Sequence, residues 1–179
     1  MTVPPYAVAG VMTILVGWFA DRTGQRGYSN IFCATVGNIG FFMLIAGETP
    51  AVRYGGTFLG ASGIFPCIAN TITWVANNSE GIYKRGIVLG FVIGWGNING
   101  IVSGNIYRFA DAPHFVPGHS AILAYMIFCL FCGSIAMHIL LRRENAKRRA
   151  GGRDYRMAGK TQSEIDRLGD NRPDFFYTL

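Results

Sequence analysis

At 179 residues, half of them hydrophobic and only 15% charged, with a mean hydropathy of +0.28, the chain is too apolar for an ordinary water-soluble domain. Its formal charge of +6 is segregated: six Lys/Arg and four Asp/Glu precede Arg142, while ten and six occur from Arg142 onward. A net positive charge carried by a tail argues against a basic nucleic-acid-binding face, so no nucleic-acid partner is expected.

Five apolar runs follow in order. Residues 3–20 form the first candidate span, with Pro4 and Pro5 at its entrance, where a missing N–H does least harm. Residues 29–47 form the second and carry no charge. Residues 54–77 form the third, with Gly56, Gly60, Gly63 and a mid-helix Pro66 expected to kink it. Residues 87–107 form the fourth and residues 120–141 the fifth, and residues 142–179 make a polar tail. Short connections suit hairpins of antiparallel helices. The expectation is an all-α polytopic membrane helix bundle of about five transmembrane helices in a lipid bilayer.

The fourth run has the most unusual composition. Gly86, Gly90 and Gly94 recur every fourth residue, as do Gly96, Gly100 and Gly104. In lipid, small residues at that spacing let a neighbouring helix approach closely, so Gly90, Gly94, Gly96, Gly100 and Gly104 are expected to be packing positions. Asn97, Asn99 and Asn105 then lie at membrane depth, where an amide facing lipid is costly. They are expected to face other helices or a wet cavity.

Orientation follows from the loops. Arg22, Arg26, Lys84, Arg85 and the basic start of the tail lie on one side; Arg53, Arg108, Glu48, Asp111 and His114 lie on the other. The positive-inside tendency makes the first side, with the tail, cytoplasmic. The sequon Asn77-Asn78-Ser79 is then internal and expected to stay unmodified. A first span beginning at residue 3, with no basic leader, reads as a chain cut from something longer. The tail is expected to be mostly solvated near lipid headgroups, with Thr161-Gln-Ser-Glu164 as a capping box opening a helix through Leu168.

Chemistry-bearing clusters are few. Cys33, Cys67, Cys129 and Cys132 all sit inside apolar runs, and the C-x-x-C of the last pair has no ligand partners at metal spacing. They read as small apolar residues, and no metal or cofactor is expected. An intramembrane enzyme would need a nucleophile–base pair or a metal set at depth, and none is visible, so the chain is not expected to be an enzyme. No acidic residue lies inside a span; the one imidazole inside a span, His138, lies near the tail-side end of the last and reads as interfacial.

The first tail-side loop reads Gly17-Trp-Phe-Ala-Asp21-Arg22-Thr-Gly24-Gln-Arg26. Its acid and bases around a glycine turn can cap helix ends and pair with neighbouring helices. The pattern G-x-x-x-D-R-x-G-x-R resembles the loop that recurs in each half of major facilitator superfamily transporters. The run Asn70-Thr71-Ile-Thr73-Trp74-Val-Ala-Asn77-Asn78, then Lys84-Arg85, Gly96-Asn97-Ile-Asn99-Gly100 and the ending Asp174-Phe-Phe-Tyr-Thr-Leu179, is similar to the fungal allantoate permease-like branch, the anion:cation symporters. One departure is Gln25, where that family's loop often has arginine.

The resemblance implies that the five spans are helices eight to twelve of a twelve-helix carrier whose remaining helices, or another chain, are needed to complete the fold. It implies a small organic anion as substrate, moved by alternating access in the plasma membrane, and allows a co-transported proton whose coupling residue lies in the half not seen here. Asn70, Thr71, Trp74, Asn97 and Asn99 are the expected substrate-binding residues, since polar side chains inside a bundle are default candidates for a solute path. Gly17, Asp21, Arg22, Gly24 and Arg26 are the expected conformational loop. Against this stand two plainer readings. The amides would only bond helix to helix, or the chain would be a small structural or assembly membrane protein with no transport activity of its own.

Overall fold

The computed structural model describes residues 3–107 and 115–179, so Arg108, Asp111 and His114 of the expected external loop lie outside the described residues. Every described element is helical. The order is α1 (Val3–Thr23), α2 (Arg26–Ala46), α3 (Pro50–Asn77), α4 (Ile82–Ile106), α5 (Val116–Tyr125), α6 (Cys132–Arg149) and a short α7 (Gln162–Asp166). A π-helical segment, Met126–Phe131, joins α5 to α6, making one 34-residue rod from Val116 to Arg149. Five helices are thus long and apolar enough to cross a bilayer.

Local chemistry sets the turns. Gly24 stops α1 in the left-handed conformation (φ +66°), its N–H bonded to Ala20 O at 3.0 Å. Thr49 caps α3 by accepting from Val52 N at 3.4 Å, with Pro50 at the first helical position. Gly81, at φ +91°, opens α4 after the turn that follows Asn77. The helices overrun the apolar runs at most ends: α2 starts at Arg26 and the last rod reaches Arg149. Hydropathy stops at the first charges, but the helix continues through them on pairs such as Arg148 and Glu144, one turn apart.

The tightest packing joins α2 to α3. A Cβ on Gly63 would sit 2.5 Å from Gly37 Cα, and one on Gly40 would sit 2.8 Å from both Gly60 Cα and Gly56 O. Only glycine allows these backbones to meet. Met126, buried in the π segment, fills the space over Gly37, and Cys33, Ala34 and Cys67 pack with Val16, Leu130 and Phe131 beside it.

The glycine rows of α4 behave differently. A Cβ on Gly90, Gly94, Gly96, Gly100 or Gly104 would meet nothing within 4 Å. None of α4's described residues is buried. Close packing in this chain belongs instead to Gly37, Gly40, Gly56, Gly60 and Gly63, because α4 stands beside the bundle with its broad face open. Four-residue spacing identifies a face able to pack; it does not select the helix that has a partner.

Most residues of the tail are exposed, as expected, but residues 170–179 lie across the ends of α3, α4 and α6. The capping contact does form, with Thr161 N donating to Glu164 Oε2 at 2.8 Å, although α7 ends at Asp166. His138, near the tail-side end of its span, is buried against α2, 4.6 Å from the Tyr28 ring and directly over Gly27. A side chain at Gly27 would collide with the imidazole, a Cβ there lying 2.6 Å from His138 Nδ1.

Candidate functional site

The turn at Gly24 delivers Arg26 to the first position of α2 with its side chain pointing into the bundle, 5% exposed. A guanidinium there needs partners. It pairs with the Asp21 carboxylate at the end of α1 and donates from Nη1 to Asn70 Oδ1 of α3 at 3.0 Å. Asn70, 3% exposed, donates back to Arg26 O and to Asn30 Oδ1, both at 2.8 Å. Asn30 donates in turn to Thr71 Oγ1 at 2.8 Å. One hydrogen-bonded chain therefore runs Asp21–Arg26–Asn70–Asn30–Thr71 through three helices.

Each member has its place for a local reason. Arg26 and Asn30 are one turn apart on α2, and Asn70 and Thr71 are adjacent on the α3 face that meets them. Both amide hydrogens and the oxygen of Asn70 are used, so the side chain has no donor left for a solute in this arrangement. Asn30 escaped the sequence reading because its run is otherwise uncharged and apolar. The available signal was its spacing, four residues after the last arginine of the loop motif.

The rest of the loop divides. Gly24 supplies the turn. Arg22 stays outside the network, its guanidinium 5.4 Å from the Trp18 ring. A Cβ on Gly17 would meet nothing within 4 Å, so no neighbour in this chain requires glycine there.

The expected substrate residues fall into three groups rather than one. Asn70 and Thr71 belong to the network just described. Trp74, one turn further along α3, is buried and donates its indole N–H to Thr178 O of the tail at 2.8 Å. Asn97 is exposed on α4, and Asn99 donates to Tyr125 Oη on α5 at 3.2 Å. Depth separates them too. The midpoint of α3 falls at Gly63 and Ile64, whereas Asn70 lies about 10 Å from the helix end. Residue type revealed polarity, but position along the helix decides how near the centre it sits.

Other polar side chains bond within their own helix: Thr13 to Ala9 O, Thr73 to Ala69 O at 2.9 Å, and Asn105 to Ile101 O. Tyr6 meets Phe65 edge to face, with ring centres 5.7 Å apart. Two apolar grooves flank α1. One, of about 400 Å³, is lined by Tyr6, Phe41, Tyr54 and Phe65; the other, of about 580 Å³, by Trp18, Phe19, Tyr28 and Phe32. Neither includes an expected substrate residue. Among the described residues no His/Cys/Asp/Glu cluster is arranged to hold a metal.

No family profile and no solved structure matches the chain. Curated proteins do. The chain is 34% identical over its whole length to an uncharacterized transporter of Schizosaccharomyces pombe, covering 34% of that protein. It is 36% identical to the MFS transporter prlL of a fungal species, over 85% of the chain and 32% of the relative. It is 28% identical to the high-affinity nicotinic acid transporter of Saccharomyces cerevisiae, over 99% of the chain and 33% of the relative. The chain thus spans about a third of the length of the curated relatives it matches. Likeness along the whole chain to proteins named as transporters, and over 85% of it to one named as an MFS transporter, supports the major facilitator superfamily as the family of this chain.

Proposed function

We propose that the chain forms part of a longer symporter that moves a small organic anion by alternating access. The observation that carries the reading is the whole-length similarity of a five-helix chain to membrane transporters about three times as long. A nicotinic acid transporter among the relatives supports a small carboxylate as the substrate class. In this reading the tail side is cytoplasmic, and the open faces of α1 and α4 meet the remaining helices. The solute passes between the two bundles near the midplane, where Asn97 and Asn99 offer amide donors to a carboxylate. Asn70 and Thr71 act one level away, fixing α2 against α3 while the bundles rock. The Asp21–Arg26 pair stabilises one of the two states.

Two measurements test this. An immunoblot against the peptide from Lys160 to Leu179 should show a native product more than twice 19.6 kDa. A band near that mass would favour the rival, a small structural or assembly membrane protein. Uptake of labelled nicotinate and allantoate by cells expressing the longer product should then exceed that of cells without it. No uptake of any small carboxylate, with the protein present in the membrane, would overturn the substrate class.

A further inference from the structure

Four buried polar side chains at the tail-side ends of α3 and α6 direct their hydrogen bonds to one short segment of backbone. Asn145 donates from Nδ2 to Tyr177 O at 2.8 Å and accepts from Tyr177 N at 2.9 Å. Asn78 donates from Nδ2 to Thr178 O at 3.1 Å and accepts from Thr178 N at 2.8 Å. Trp74 adds its indole donor to the same Thr178 carbonyl. Consecutive residues of an extended strand point their N–H and C=O groups to opposite flanks. Each asparagine therefore takes both the N–H and the C=O of one residue, Asn145 those of Tyr177 and Asn78, capping α3, those of Thr178, the pairing a neighbouring β-strand would make.

Arg148, 5% exposed, closes the other end of the segment. Its Nη1 donates to the carbonyls of Phe175 and Arg172, the latter at 3.1 Å, and its guanidinium lies 4.4 Å from the Tyr177 ring. Those two carbonyls border the turn Arg172-Pro173-Asp174-Phe175, where Phe175 N bonds Arg172 O at 3.3 Å. Proline in the second position presets such a turn. Just before it, Asp170 pairs with Lys84 at the start of α4, and Arg172 pairs with Glu80 at 3.3 Å.

We propose that the tail-side ends of α3 and α6 are a binding site for an extended polypeptide strand, filled here by the chain's own residues 175–179. The recognition is of backbone: the asparagine pair and the indole read N–H and C=O groups, which any strand carries. Occupied, the site ties together the ends of α3 and α6, and through Asp170 the start of α4. This holds whatever solute the protein carries.

Proline and alanine at position 178 separate backbone docking from side-chain docking. Thr178→Pro removes the N–H that Asn78 accepts, while leaving the preceding residue free to stay extended; Thr178→Ala keeps that N–H. Both are made in the full chain, in nanodiscs, with Trp18 and Trp95 changed to Phe so that Trp74 reports alone. T178A should leave Trp74 emission unchanged, and T178P should shift it to longer wavelength as water replaces the strand. A synthetic peptide of residues 170–179 added to T178P should reverse the shift saturably, and the same peptide carrying the proline should bind about tenfold more weakly. Spin labels at the exposed Asn77 and Lys147, with Cys129 and Cys132 replaced by serine, give an independent readout. Their distance distribution should be narrow in T178A and broad in T178P. Equal emission and equal distributions in the two variants would overturn the site. So would a proline peptide that binds as well as the natural one.

Discussion

Arg26 and Asn70 hold each other twice: the guanidinium donates to the amide oxygen at 3.0 Å, and the amide nitrogen donates back to the arginine's own carbonyl at 2.8 Å. This reciprocal pair locks the first residue of α2 to the last third of α3. The same amide reaches Asn30, so one side chain on α3 satisfies three groups of α2.

Replacing Asn70 should therefore cost more than replacing an exposed amide. Asn70→Ala leaves Arg26 Nη1, Arg26 O and Asn30 Oδ1 without their buried partner, and loss of about 1–3 kcal/mol is expected. Asn97→Ala, on the open face of α4, should change little. Thermal unfolding of both variants in the same detergent checks this; equal midpoints would mean that the network contributes nothing net.

Glycine substitutions should distinguish the two glycine-rich interfaces. Gly63→Ala drives a methyl into the Gly37 backbone and should lower the melting temperature of the chain sharply. Gly94→Ala meets open space and, as an alanine in a helix, should be neutral or gain up to about 1 kcal/mol in this chain. A loss at Gly94 seen only in a longer product would locate the helix that covers α4.

The proposed role of Asn97 in the solute path has a direct test. Asn97→Leu in the full-length carrier should reduce uptake of a small carboxylate while surface abundance is unchanged. Parallel loss of abundance would assign the amide to packing instead.

The tail-side orientation has its own test. In intact cells, a membrane-impermeant thiol reagent should label an engineered cysteine at Pro117 but not one at Gln25, once Cys129 and Cys132 are serine. The reverse pattern would invert the topology.

Acid should loosen the junction between α6 and the tail. Arg153, with help from Arg148, holds the Glu144 carboxyl down from its ordinary 4.5 to about 2. A carboxyl lowered on folding adds stability that is full above the unfolded value and disappears as pH falls through the folded one. Protection against hydrogen exchange in residues 148–158, taken relative to the intrinsic rate at each pH, should therefore fall between about pH 4.5 and pH 2, and Glu144→Gln should remove that dependence. An unchanged profile in the variant would exclude Glu144 as its source.

The sequence by itself determined the class of this protein. Five uncharged or nearly uncharged runs of about 20 residues have few alternatives to membrane helices, because only intra-helical hydrogen bonds satisfy a backbone in lipid. Gly24 marked its turn for an equally local reason. The loop motif marked Asp21, Arg22 and Arg26 as charges at a helix junction; that Asp21 pairs with Arg26 while Arg22 lies against Trp18 was decided by the fold. What only the tertiary structure decided were relations between distant residues. Asn30 became part of the site because α3 lays Asn70 against it, 40 positions away. Within this chain the close glycine contacts lie between α2 and α3, since spacing defines a face but a neighbour must supply the contact. Trp74, legible as a flat wall for a solute, is occupied by a carbonyl 104 residues downstream. The polar composition of the tail foretold its exposed stretch but not the docking of its last ten residues, which comes from backbone groups of Tyr177 and Thr178 meeting Asn145 and Asn78.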